Sequence, residues 1–271
     1  NFWVVRRIRA VMAAADAAGG ALLAAALAFT TMFALLPGLL LLSGVLGWVI
    51  DDPKVRGDLL TQLVAYVPPL ADAIAESLEG IVRTRGALSL VGLIGLVWGA
   101  SNFYAALDEV MRRLFPGGGV RGFVERRIRG IIAVAVLVGL VIGTIALGGL
   151  WGALESIVGI ELIGLLRVAA PLTSIAVMVL VVLIVYRLVP TAPPSWRAAL
   201  PPAFVAGIGI ALLTNLFSLL APVLVGGLAG FGILAAVFGA FVWLNFCFQI
   251  LLYGAAWARY RRDRQRLTEG A

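Results

Sequence analysis

The sequence predicts an all-α polytopic membrane protein of about six transmembrane helices, with a kinked or broken first helix and an amphipathic helical element on the outer side. Three observations carry that expectation. Of the 271 residues, 62% are hydrophobic and only 13% are charged, about half the charged share of a soluble domain. The apolar residues gather into six runs, each long enough to cross a hydrocarbon core that needs about 20 residues of helix. The basic residues fall alternately rich and poor between those runs.

The runs are 20–49, 88–107, 130–152, 171–189, 200–222 and 233–257. None alternates with period two, so barrel strands are not expected. In lipid a segment must satisfy its own backbone hydrogen bonds, which makes each run a helix. The N-terminal segment and the second, fourth and last connections hold 16 of the 21 basic residues, and the first, third and fifth hold five. The positive-inside rule then puts both termini in the cytoplasm. Trp48 and Trp151 fall at outer helix ends, and Trp196 and Trp257 near the inner face, as interfacial tryptophans do. Trp98 and Trp243 lie deeper. The whole chain, 1–271, reads as a single membrane domain. It starts at Asn1 without methionine, as a trimmed chain would, and shows no cleavable signal.

In order along the chain, the first run would make a helix of about 45 Å, longer than the core. It contains Pro37, where a kink or break is expected; a tilted helix starting in the inner interface is the other solution. The outer element, 51–86, opens on Asp51-Asp52-Pro53 and is divided at Pro68-Pro69. Leu70, Ile74, Leu78 and Ile81 share one helical face, with Asp72, Glu76 and Glu79 away from it. Such a helix either caps the bundle or forms a shelf for a lipid or partner. After the second run, Asp108–Arg112 and Glu109–Arg113 stand four apart and would support a helix end. Gly139 and Gly143, and Ala203, Gly207 and Ala211, have the spacing that lets membrane helices approach. The uncharged link with Gly226, Gly227, Gly230 and Gly232 would be a hinge or a re-entrant segment.

Little in the chain invites catalysis. It has no histidine and one cysteine, Cys247, which rules out an intramolecular disulfide and removes the commonest metal ligand and general base. No metal site, cofactor or enzymatic activity is expected. Ionisable groups are nearly absent from the spans, which speaks against proton- or sodium-coupled transport. The basic surface of Arg112, Arg113, Arg126, Arg127, Arg129, Arg259, Arg261 and Arg262 suits orientation and attraction to anionic headgroups. It lacks the interleaved aromatics that nucleic-acid binding wants. Uncharged polar residues inside the spans are more informative. They are Thr30, Thr31, Trp98, Ser101, Asn102, Thr214, Asn215, Ser218, Asn245, Gln249 and Tyr253, beside Pro37. Asn245, Gln249 and Tyr253 follow i, i+4, i+8 on one face. They either bond between helices or line a pathway for a ligand.

Several short runs stand in order along the chain: Ala28-Phe29-Thr30-Thr31-Met32-Phe33-Ala34-Leu35-Leu36-Pro37, Trp98-Gly99-Ala100-Ser101, Ala106-Leu107-Asp108-Glu109, Tyr186-Arg187-Leu188-Val189-Pro190, the stretch from Trp196 to Ala203, Phe231-Gly232-Ile233-Leu234-Ala235 and Trp243-Leu244. Together they resemble the YihY/BrkB family of bacterial inner-membrane proteins. Their order and spacing carry the likeness over roughly 20–258. Arg112, Phe231, Ala235 and Ala256 stand where that family often has asparagine, tyrosine, glycine and glutamate. The resemblance implies a six-helix inner-membrane protein. The family once carried a ribonuclease label, which nothing in these residues supports, and its members have been connected with serum resistance and with transport of envelope lipids beside large periplasmic bridge proteins.

The expected function is therefore a transporter or conduit component handling phospholipid or a related envelope amphiphile, with membrane lipids and a periplasmic lipid-bridge protein as partners and no nucleic acid. A carrier or channel for a small neutral solute would use the same polar face. A non-transporting assembly subunit would instead hold its partner through 51–86.

Overall fold

The computed structural model describes residues 2–49, 85–119, 122, 124–125, 128–129, 132, 136, 160–227 and 233–269. Among them six helices are defined and no strand: α1 Phe2–Ala17, α2 Gly20–Val49, α3 Arg85–Leu114, α4 Ile160–Leu188, α5 Trp196–Gly227 and α6 Ile233–Glu269. Five of the six apolar runs lie in α2 to α6. The run at 130–152 and the outer element at 51–86 fall outside the described residues, apart from 132, 136 and the first turn of α3. Among the described residues Trp196–Leu220 and Leu234–Leu267 are each long and apolar enough to cross a membrane, and the bent pair Val11–Ala17 and Gly20–Leu35 adds a third if it is one span. The fold is that of a helical membrane protein.

A bend is found in the first membrane segment, and no break in the helix falls at Pro37. Helix α2 runs unbroken through Pro37. The bend, 63°, falls between α1 and α2. It is made by Gly19, whose φ of +76° lies in the left-handed region that costs a side chain with Cβ energy and costs glycine none. The turn is closed by Gly19 N–H donating to Asp16 O at 2.8 Å, and Leu23 N–H to Gly19 O at 2.9 Å. Proline is tolerated in a membrane helix when neighbours cover the carbonyl it cannot reach, and this happens at Pro37.

The chain divides into two compact units. The first comprises Asn1–Leu23, Leu107–Ala211 and Gln249–Ala271. Its helices meet through small residues. A Cβ on Gly207 would stand 2.7 Å from Val179 Cα, so α4 and α5 touch backbone to side chain with no room for more. This is the Ala203, Gly207, Ala211 stripe, whose two alanines are buried as well. Tyr186 is fully buried and donates its hydroxyl to Leu251 O at 2.7 Å. Gly254 leaves the room that hydroxyl fills.

At the arginine-rich end of this unit, side chains bind the connections. Helix α3 is followed by Pro116 and by Gly117, whose φ is +104°. Arg262 of α6 donates Nη1–H to Ala192 O at 2.8 Å and Nη2–H to Pro116 O at 3.4 Å, and lies over the Phe115 ring. It was expected on an open basic surface; it is instead 5% exposed and built into the fold. Its charge faces Asp263, which Arg259 also approaches at 3.5 Å. Ser195 caps α5, its Oγ accepting from Ala198 N–H at 3.2 Å, and donates to Gln265 Oε1 at 2.6 Å.

The pairs at the end of α3 also rearrange. Glu109 takes both arginines, Arg112 at 2.6 Å and Arg113 at 2.9 Å. Asp108, expected to hold Arg112, is buried at 3% exposure with interactions of its own. The second unit, Ala24–Ala106 with Leu212–Phe248, buries Ala24, Leu27, Ala28, Met32, Ala100, Tyr104, Ala240, Trp243 and Leu244. Gly226 and Gly227, expected in a hinge or re-entrant link, are the last helical residues of α5; Gly230 and Gly232 lie outside the described residues.

Two measurements check this unit's end. Arg262→Leu strips a donor from two carbonyls and leaves Asp263 only its longer contact with Arg259, so thermal unfolding in detergent should show a loss of about 2–3 kcal/mol; Arg264→Leu should not. The hydrogen bonds from Arg112 and Arg113 hold the Glu109 carboxyl below its ordinary 4.5. A carboxyl lowered by folding adds stability above its unfolded value and loses it as pH falls through the folded one. Acid titration of melting temperature should therefore lose a component below about pH 4.5 in the native chain, and Glu109→Gln should lack that component.

Candidate functional site

The second unit carries a half-open groove of about 260 Å³ lined by Phe33, Pro37, Ile94, Gly95, Trp98, Gly99 and Asn102. It forms where α3 crosses α2. Glycines four apart bring the helices together: a Cβ on Gly95 would stand 2.8 Å from Pro37 Cβ, and one on Gly99 2.6 Å from Ala34 Cα and 2.8 Å from Phe33 O. Pro37 has no N–H, so it cannot bond the carbonyl four residues back, which is that of Phe33. Gly99 packs against this same carbonyl, leaving no room for a Cβ between them. Only glycine fits there, since the atoms a Cβ would meet are backbone and cannot swing away.

Around this crossing the walls are apolar and outward-facing. Trp98 and Ile94 are each 67% exposed and Phe33 61%. Phe33 is steadied by Phe29, ring centroids 4.8 Å apart. Asn102, exposed, supplies the single amide among the lining side chains. A site of this kind grips a flexible apolar body along rings and aliphatic edges and offers a donor and an acceptor at one end.

The pattern of the family described as Virulence factor BrkB matches residues 11–270. The chain belongs to the BrkB family. A similar protein is the UPF0761 membrane protein of Chromohalobacter salexigens, 25% identical over 279 residues, covering 97% of this chain and 65% of the relative. The chain thus spans just under two thirds of the length of that curated relative. No solved structure matches it.

In this BrkB-family chain the groove gathers three of the residues that the sequence nominated: Pro37, Trp98 and Asn102. It also uses Phe33, Ile94, Gly95 and Gly99, which were not nominated; the Gly95-x-x-x-Gly99 spacing was the available signal. The other nominees are placed elsewhere. Thr30 and Thr31 turn their hydroxyls back to Leu27 O at 3.0 and 2.7 Å on their own helix. Ser218 does likewise to Thr214 O at 3.0 Å. Ser101 is half-buried and is not part of the groove lining. Asn215, Asn245 and Gln249 have partners within the fold. Tyr253 reaches Asp16 Oδ1 at 3.5 Å within the first unit. Asn245, Gln249 and Tyr253 all lie on α6, Asn245 in the second unit and the other two in the first. Trp243 is buried, and its Nε1–H has no partner among the described residues.

Of the basic nominees, Arg112 and Arg113 serve Glu109, Arg129 pairs with Glu125 at 3.1 Å, and Arg259 and Arg262 share Asp263. Arg261 donates to Arg197 O at 3.2 Å. Arg126 and Arg127 lie outside the described residues.

Gly99→Ala should push α3 off α2 and cost about 1–3 kcal/mol, read as a drop in thermal unfolding temperature. Gly119→Ala, where an added Cβ meets nothing within 4 Å, should leave it unchanged.

Proposed function

We propose that this BrkB-family membrane protein handles a phospholipid or related envelope amphiphile, taking an acyl chain into the α2–α3 groove. The observation that carries the reading is the groove's chemistry. Its walls are a proline ring, two aromatic rings and an isoleucine, exposed on helices that pass through lipid, with one amide at the end. A neutral polar solute would want several convergent donors and acceptors, and the lining offers one amide side chain. The sparse charge of the spans fits a cargo that needs no ion pair. On this reading the chain sits in a bacterial inner membrane with its termini in the cytoplasm, performs no covalent chemistry, and passes lipid to or from a periplasmic bridging partner.

The test is transfer of a fluorescent phospholipid in proteoliposomes containing the full chain. Trp98→Ala with Asn102→Leu should slow transfer several-fold while leaving the melting temperature near that of the parent, because both side chains are exposed. Transfer equal to protein-free vesicles, or unchanged in the double variant, would sink the groove as a lipid path.

A further inference from the structure

The arginines sort into two classes. Arg112, Arg113, Arg129, Arg259 and Arg262 each meet a carboxylate. Arg187, Arg197 and Arg261 meet none among the described residues, yet they are drawn together around residues 194–197. Arg187 donates Nη1–H to Pro194 O and lies 4.5 Å from the centre of the Trp196 ring. Arg261 donates Nη2–H to the backbone carbonyl of Arg197 at 3.2 Å, the carbonyl that Pro201, lacking N–H, cannot take. The Nε–H groups of Arg187 and Arg261 are covered and unpartnered. The anchors of Arg187 and Arg261 are neutral carbonyls, the Arg197 side chain is exposed beside them in sequence, and no carboxylate among the described residues pairs with any of the three.

The helix next to this cluster is greasy on the matching face. Leu200 and Phe204 follow Arg197 at i+3 and i+7 and so share its side of α5. Trp196, Leu200, Phe204 and Val205 are all about half exposed or more. From Arg197 to Phe204 the helix rises about 10 Å, the length of the upper part of an acyl chain. Cations at one end and an apolar strip leading from them match one kind of molecule.

We propose that Arg187, Arg197 and Arg261 bind the phosphate of an anionic phospholipid, whose acyl chain lies along Leu200 and Phe204. Basic pockets between membrane helices take such headgroups. Guanidinium groups suit them because each presents several N–H donors to phosphate oxygens. The site lies wholly in the first unit and stands or falls independently of the α2–α3 groove. It holds a lipid in place and needs no transfer.

The test is titration of the full chain, in a neutral detergent, with phosphatidylglycerol and with phosphatidylcholine, read by native mass spectrometry. The native chain should bind phosphatidylglycerol more tightly. Arg197→Gln, whose side chain is exposed and bears no described structural bond, should weaken that binding about fivefold, and Arg187→Gln with Arg197→Gln should weaken it further, with phosphatidylcholine unaffected. Phe204→Asn should weaken phosphatidylglycerol while leaving the charge in place. Melting temperature near that of the parent confirms that the variants fold. Equal binding of the two lipids by the native chain overturns the proposal, as does undiminished phosphatidylglycerol binding by the double arginine variant. Displacement by inorganic phosphate as effective as by the lipid would also overturn it, because the site would then be one for phosphate alone.

Discussion

A carbonyl without a donor is expensive where water is scarce, and much of this fold is the answer to that constraint. Prolines create the problem at fixed places. Pro37 leaves Phe33 O without its helical donor, and Pro201 does the same to Arg197 O. The first is covered by Gly99 of the neighbouring helix and the second by the guanidinium of Arg261. The connection between α4 and α5 loses three backbone donors at Pro190, Pro193 and Pro194, and Arg262 and Arg187 reach Ala192 O and Pro194 O. The arginine-rich end is therefore as much a set of backbone donors as a source of charge.

Close approach is the companion of that constraint. Helices in lipid gain little from burying one apolar side chain more, so contact surface and backbone proximity hold them together. Gly99, Gly207 and Gly254 each stand where a single methyl would collide with a neighbour. The same closeness shapes the groove: the glycines that draw α3 onto α2 also leave the rings of Phe33 and Trp98 standing proud on either side of the crossing.

The helices were legible because twenty-residue apolar runs leave the backbone no alternative, and the family was legible from motif order. The location of the bend was not. Pro37 is the stronger sequence signal, yet α2 is continuous through it, while Gly19 bends the chain through a backbone angle that composition does not reveal. Of the polar residues within the spans, Trp98 and Asn102 reach the groove, whereas Thr30, Thr31 and Ser218 satisfy themselves on their own helices. Sequence spacing places a hydroxyl on a face; it does not say whether the preceding turn has already claimed it. Arg262 misled for a related reason. A basic tail reads as surface, and only the fold shows that one of its members fills a gap between two distant turns.

That arginine also sets an order of events. Its two carbonyl partners lie 146 and 70 residues before it in the chain, and a polypeptide emerges from the ribosome N-terminus first. The turns after α3 and α4 are thus made long before the group that joins them. Until α6 is made they wait unjoined, and that helix brings the fastener. A chain cut short ahead of α6's final turns would still contain most of the described helices, but the turns after α3 and α4 would lack the side chain that joins them.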